Sequence, residues 1–575
     1  VEIPKYKMNV TASEPDDAKP GFLAPRAHRD LTGAYPVVQR RWRDVVGSGR
    51  ELLSVMASHP LALARAQTRL SLEMSRIALG RSRLRPAPDD DRFEHPFWQE
   101  NAGFRRVLQG YLAWSTVLLD LIHDLRLKPE QKRRLLFVAR HMIAAGAPSN
   151  VFFTHPGFYD NAWHSRGRSV VSGVRHLLED LRDNRGLPRQ VDTSAFRIGH
   201  NIAATEGAVV FRNEVFELIQ YSPRSPSVDS RAVLFCPAQI NKYYVVDLSP
   251  EKSFVRYALD AGQQMFTISW RNPTAAKRDW GLATYADAVC EAVDVVRAVT
   301  DGQPVKLVGA CAGGLTATAA LARLAAVGEQ DKVACLSLFV TVLESPHAFR
   351  LGRVPDAAGI SAVTARSSHA GVLDGADMAR AFAWLRPNDL IWRFVTNNYV
   401  LGNEPPAFDV LYWNSDTTRM PARLHADMLA IYRDDTLSTP GALELDGVAV
   451  DVRAIDRDVF VVAGARDHIT PWQDCYRSMQ MFRSNVRFVL GAAGHVQTIL
   501  CPPGSHSARY HVNDDYSLDA AAWRRRAREQ YDSWWPAWVR WCEAHGGERR
   551  APPEVYGDDE HEPIEAAPGR YVRQR

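Results

Sequence analysis

A chain of 575 residues with 46% hydrophobic and 24% charged residues has the make-up of an ordinary globular protein with room for more than one domain. Its formal net charge of +4 is too small for a nucleic-acid footprint, and the arginine cluster between Trp523 and Gln530 reads as the solvated face of a helix. The seven cysteines lack paired or Cys-x-x-Cys spacing, which argues against a zinc site and a disulfide framework, and no apolar run is long enough to span a bilayer. With no basic-plus-apolar signal at its start, the chain is expected to be soluble and cytoplasmic, with no metal and no cofactor.

Residues 1 to about 35 are rich in Pro, Asp and Ala and read as loose or extended. A helical period runs from about Val37 to Leu84, broken at His59-Pro60, and Pro86 to Asp91 reads as a linker. Further helices are expected over Phe104 to Leu125, Pro129 to Ala145 and Ser169 to Asp183. No convincing strand alternation precedes about residue 205, so residues 1–205 form an all-α N-terminal domain. From Ala208 the chain changes to short β-rich runs alternating with helices. The candidate strands are Ala232 to Cys236, Met265 to Trp270, Val305 to Val308, Leu336 to Val342, Val459 to Val462 and Val486 to Leu490. Helices at Tyr285 to Val299 and Gly313 to Val327 make βαβ units, so residues 206–575 carry a mainly parallel sheet. A mostly helical insertion over about 346–451 interrupts them where a cap would lie. Its aromatics, Phe382, Trp384, Trp392, Phe394, Tyr399, Tyr412 and Trp413, either line an apolar path or form a small core. The stripe of Trp534, Trp538 and Trp541 reads as core packing.

The chemistry centres on VKLVGACAGGLTATAALARLA, residues 305–325. A β-branched run ends at Gly309, a helix begins near Gly313, and Cys311 sits between them in the frame Gly-x-Cys-x-Gly. This is the nucleophile-elbow pattern of α/β-hydrolases with cysteine in place of serine. So sharp a strand-to-helix turn strains the backbone of the nucleophile and tolerates only small neighbours. The helix N-terminus favours a thiolate and, later, an oxyanion. In chain order the acid and the base follow, each beyond a strand. DVFVVAGARDHITPW supplies Asp467, and VRFVLGAAGHVQTIL supplies His495. His468, beside Asp467, reads as supporting the trio rather than as the base.

Together with the elbow, several longer stretches strongly resemble the polyhydroxyalkanoate (PHA) synthases of the single-subunit type. These are PSN (148–150), QVDTSAF (190–196), FRNEVFELIQY (211–221), QINKYYVVDLSPEKS (239–253), SWRNPT (269–274), LRPNDLIW (385–392), RDHITPW, GHVQTIL and PGRYV (568–572). One departure is Ala312, where better-known members would carry Ser or Val; its backbone N–H is unaffected. The resemblance implies an α/β-hydrolase fold and polymerisation of (R)-3-hydroxyacyl-CoA with release of CoA, through an acyl group on Cys311. CoA is then part of the substrate rather than a cofactor. His495 would draw the Cys311 proton and later that of the incoming 3-hydroxyl. Asp467 would orient His495 or assist the hydroxyl directly. The oxyanion would meet the N–H groups of Ala312 and Ile240. The resemblance further implies a homodimer at the surface of polyester granules, with phasins as possible partners. The wording of RDHITPW and GHVQTIL leans toward members that use medium-length side chains. The competing readings are a depolymerase or thioesterase of the same fold, which would admit water, and a granule-coating protein without catalysis.

Overall fold

All six apolar runs become strands, and they are the six parallel strands at the centre of an 11-stranded sheet. A computed structural model describes residues 54–55, 58–88, 90–184, 186–344, 357–506 and 508–575. The expected helix before His59 lies largely outside these, as do residues 346–356 of the insertion. The break read at His59-Pro60 holds: helix α1 (Pro60–Ala78) opens on Pro60, where a missing N–H costs nothing. Helices α2 (Ala102–Asp124), α3 (Pro129–Ala145) and α4 (Arg168–Asp183) follow close to their expected bounds. The side chain of Asn101 caps α2 by accepting from the N–H groups of Gly103 and Phe104.

The sheet strands in chain order are β1 (Gly207–Arg212), β2 (Phe216–Tyr221), β3 (Val233–Cys236), β4 (Met265–Trp270), β5 (Val305–Ala310) and β6 (Val333–Phe339). After the insertion come β7 (Val459–Gly464), β8 (Val486–Gly491), β9 (Tyr510–Val512), β10 (Arg528–Gln530) and β11 (Glu565–Ala566). Their order across the sheet is β10-β9-β8-β7-β6-β5-β3-β4-β2-β1-β11. Strands β3 to β8 run parallel, and the flanking strands are antiparallel. Two expectations shift. The strand expected to reach Val342 stops at Phe339, because Val340 takes a left-handed φ of 46° and turns the chain. Only part of the arginine cluster is helical, since Arg528 already belongs to an exposed edge strand.

The chain passes from β3 outward to β4 and then returns to the other side of β3 to lay down β5. The crevice at the C-terminal ends of β3 and β5 is therefore a topological switch point, the place where open α/β sheets bind and react with ligands. Helices α5 (Leu282–Val299) and α6 (Ala312–Ala326) bury apolar faces against the sheet.

The insertion divides its contacts. Helix α7 (Ala422–Asp434) and the following hairpin pack on α5 and α6, extending the layer on one sheet face. The part between 384 and 419 instead reaches across to the N-terminal helices and to the loop after β3. His141 bonds the Trp384 carbonyl at 2.8 Å, Gln190 donates to Leu390 O at 2.6 Å, and Tyr399 Oη donates to Asp180 at 2.9 Å. A Cβ at Gly173 would collide with the Tyr399 carbonyl, so α4 lies backbone-to-backbone against the segment 395–400.

Candidate active site

Cys311 occupies the turn between β5 and α6 with φ 52° and ψ −124°, a left-handed conformation that costs a non-glycine residue on the order of 1–3 kcal/mol. Its surroundings hold it there. The Cys311 N–H donates to Phe339 O at 2.9 Å, and its carbonyl accepts from Gly314 N at 3.0 Å and Thr341 Oγ1 at 3.2 Å. The glycines of the motif answer to close approach rather than to torsion. A Cβ on Gly309 would meet Gly314, one on Gly313 would meet the Cys236 and Pro237 backbone, and one on Gly314 would meet Thr341. This tight seat packs the start of α6 against the end of β3. The thiol itself is half-buried.

Asp467 follows β7 and His495 opens the short helix α8 (His495–Ile499) after β8, so both stand at the same sheet edge as Cys311. Asp467 Oδ2 lies 2.6 Å from His495 Nδ1. Both are buried, at 4% and 8% exposure. The carboxylate is fully engaged. Oδ1 accepts from the N–H groups of Ile469 (2.8 Å) and Thr470 (3.0 Å), and Oδ2 also accepts from Thr470 Oγ1 at 2.7 Å. Burial alone would raise the Asp467 pKa, but His495 and these hydrogen bonds hold it below the ordinary carboxylate value. Burial likewise disfavours a charged His495. The Asp467 carboxylate, hydrogen-bonded to Nδ1, and the neighbouring Cys311 overcome this and push its pKa up to about 10. With Nδ1 turned to the carboxylate, Nε2 is left for the thiol. The arrangement is thus a nucleophile, a base and a buried orienting acid.

His468 stands beside the trio, its pKa pushed down to about 4 by burial and by Arg386 of the insertion. Arg386 and Asp389 lie close enough to His468 to act on its charge, which brings the insertion to the edge of the site. Ala312 opens α6 and Ile240 lies in the loop after β3; both are partly buried against the same hydrophobic core.

Three supports escape a reading of the sequence. Thr470 bonds Asp467 and also lies 3.2 Å from His495 Nδ1; the only hint of it is Asp-x-x-Thr, a local side-chain-to-backbone motif. Trp534 and Trp535 donate their indole N–H groups to the carbonyls of Thr498 (2.7 Å) and Ile499 (3.0 Å), anchoring α8 and with it His495. Trp534 and Trp538 are indeed core residues, as the stripe suggested. Of the insertion's aromatics, Trp384 and Tyr399 face the N-terminal helices. Tyr412 stacks near Phe196 and Tyr244, and Trp413 donates to Lys242 O. These four build inter-segment packing rather than an open apolar path; the side chain of Phe382 lies outside the described residues.

Comparison with known proteins agrees with this architecture. Residues 89–258 match the family described as poly-beta-hydroxybutyrate polymerase (PhaC) N-terminus, which thus crosses from the helical region into the sheet, and residues 231–500 match the alpha/beta hydrolase fold. Poly(3-hydroxyalkanoate) polymerase 1 of Ectopseudomonas oleovorans is 44% identical over 553 residues, covering 96% of this chain and 99% of that protein. Polymerase 2 of the same organism is 44% identical over 93% of this chain and 95% of its own. The polymerase subunit of Cupriavidus necator is 34% identical over 93% and 94%. Among solved structures, a monoacylglycerol lipase of Paleococcus ferrophilus covers 58% of this chain and all of its own (100%) at 12% identity and a TM-score of 0.32. The chain belongs to the poly(3-hydroxyalkanoate) polymerases and is an acyltransferase of polyester synthesis.

Proposed function

We propose that this chain joins (R)-3-hydroxyacyl units from their CoA thioesters through an acyl group carried on Cys311. The observation that carries the reading is a cysteine at a strained elbow beside a histidine that a buried aspartate holds by Nδ1. His495 Nε2 takes the thiol proton, and the Cys311 sulfur attacks the thioester carbonyl. The carbonyl oxygen, now negative, is met by the N–H groups of Ala312 and Ile240. Collapse breaks the bond to the CoA sulfur, which leaves as CoA after receiving the proton from His495. One thioester replaces another, so the acyl group stays activated. In the next step His495 removes the proton from a 3-hydroxyl, whose oxygen attacks the acyl carbonyl. An ester forms and the Cys311 thiolate is released and reprotonated. Every acceptor position of Asp467 described above is already occupied, which favours its orienting His495 over its touching the substrate hydroxyl. No step calls for a metal or cofactor.

Water would end a chain by hydrolysing the acyl-cysteine, and the effect of Arg386 and Asp389 on the charge of His468 supports a role for the insertion in limiting its access. Attachment to the granule surface fits the apolar side chains left open on the N-terminal helices, with Trp163 84% and Phe153 76% exposed. Among the described residues no helix is long and apolar enough to cross a membrane. Homodimerisation, phasin contact and a preference for medium-length side chains belong to the same reading. Purified protein given (R)-3-hydroxyacyl-CoA of graded chain length should release CoA together with polyester. Release of CoA with free hydroxy acid alone would make it a thioesterase.

A further inference from the structure

The loop after β3 carries Ile240, and its far end is held by residues distant in sequence. Lys242 is 3% exposed, and its Nζ donates to Gln574 O at 2.6 Å. Gln574 in turn accepts from Asn272, through the Asn272 N–H to Oε1 at 3.1 Å and through Nδ2 to its carbonyl at 3.4 Å. Asn272 Oδ1 accepts from Arg419 N at 2.9 Å, within the insertion. The same part of the insertion grips the loop directly. Trp413 Nε1 donates to Lys242 O at 2.7 Å, Thr418 Oγ1 donates to Gln239 O at 2.8 Å, and Asn241 pairs with Thr417 in a β-bridge. On its other side, Gln239 Nε2 donates to Thr316 Oγ1 of α6 at 2.9 Å. Two of the distinctive stretches, QINK and SWRNPT, thus meet at Gln574, just past PGRYV.

An ammonium group is costly to bury, and nothing in the proposed chemistry uses this one. Burial pushes the Lys242 pKa down to about 8, with Asp416 supplying opposing charge and Arg419 and Arg575 adding repulsion. A hydrophobic side chain would pack there more cheaply, so the amine is retained for its hydrogen bond to the tail. An oxyanion donor works only when fixed within a few tenths of an ångström of where the charge develops.

We infer that Lys242 and the tail at Gln574 form a positioning device that sets the Ile240 N–H for the transition state. This rests on the reading of Ile240 as an oxyanion donor. The device acts through the loop and touches no reacting atom, so it should govern turnover rather than substrate affinity.

The test uses the full-length enzyme, Lys242→Met, a chain stopped after Arg573, and the two changes combined. The folded fraction of each preparation is isolated by size exclusion and its Cys311 sites are counted by peptide mapping after alkylation with iodoacetamide, so that misfolded protein and the other six cysteines do not enter the rate. CoA release per alkylatable site should fall about tenfold in kcat in either single variant, with KM within twofold of the parent. The combined variant should lose no more than the shortened chain alone, because the shortening already removes the carbonyl that Lys242 binds. Unchanged kcat per site in either single variant, a loss confined to KM, or multiplied losses in the combination would each overturn the inference. Those results would leave the acyl-cysteine reading standing. Undiminished turnover in Cys311→Ala would overturn that reading instead.

Discussion

Replacing Asp467 with Asn should slow the first acylation, not only later elongation. The carboxylate accepts four hydrogen bonds, two on Oδ1 from the backbone of Ile469 and Thr470 and two on Oδ2 from Thr470 Oγ1 and His495 Nδ1. An amide has one oxygen. The two backbone donors claim it, leaving the NH2 group at the Oδ2 position facing His495. Thr470 can rotate its hydroxyl to accept, but His495 must then turn Nδ1 into an acceptor and carry its proton on Nε2, beside Cys311. In that tautomer it cannot take the thiol proton. In serine-protease triads the equivalent change lowers kcat by about 10⁴-fold with the geometry intact. At about 1.4 kcal/mol per decade this corresponds to about 5.5 kcal/mol of transition-state stabilisation. A cysteine is more acidic than a serine, so about 10³- to 10⁴-fold is expected here. Single-turnover CoA release in a stopped-flow instrument separates acylation from elongation. If first-turnover acylation in Asp467→Asn stayed within tenfold of the parent while elongation collapsed, Asp467 would be acting on the substrate hydroxyl and the orienting role would be wrong.

Cys311→Ala should abolish CoA release with the fold retained, and adding His495→Ala to it should change the residual rate little, since a base without its nucleophile contributes nothing; losses that multiply would separate the pair. Gly314→Ala should destabilise the protein by about 1–3 kcal/mol in urea unfolding, because its methyl displaces Thr341 from the Cys311 carbonyl. A fully stable and active Gly314→Ala would contradict the packing described for the elbow. Stability should also depend on pH through the site. The folded His495 pKa is raised from 6.5 to about 10, so its contribution is complete below pH 6.5 and is lost as pH climbs through about 10. The lowered pKa of Asp467 acts in the opposite sense: its contribution is present above the ordinary carboxylate value and is lost as acid titrates the folded group. Removing the thiol takes away one cause of the His495 shift, so the alkaline decline should be shallower in Cys311→Ala than in the parent; identical slopes would refute it.

The six parallel strands are legible because both of their faces are buried, which writes them as largely apolar runs such as VLFC and VFVVAG. The edge strands leave weaker marks. Arg528–Gln530 is exposed at every position, and Glu565–Ala566 has only two residues to show. Cys311, Asp467 and His495 are readable because each must stand just past a strand, a constraint that local pattern expresses. Thr470 and the indoles of Trp534 and Trp535 are not, since their work is to hydrogen-bond groups that only the fold brings near. The Lys242 contact with Gln574 spans 332 residues, and nothing local marks a buried lysine as different from a surface one. The aromatics of the insertion show the converse: composition announces packing but not which partner is packed, and for Trp384 and Tyr399 the partner is the N-terminal helical region.

Rapid mixing with (R)-3-hydroxyacyl-CoA, acid quench within the first turnover and mass analysis of the Cys311 peptide test the central claim most directly. The account predicts a 3-hydroxyacyl adduct on Cys311 that appears as CoA is released and is absent from Cys311→Ala, with polyester as the final product. CoA release at the normal rate without an adduct at any time, or with free hydroxy acid as the only product, would contradict it.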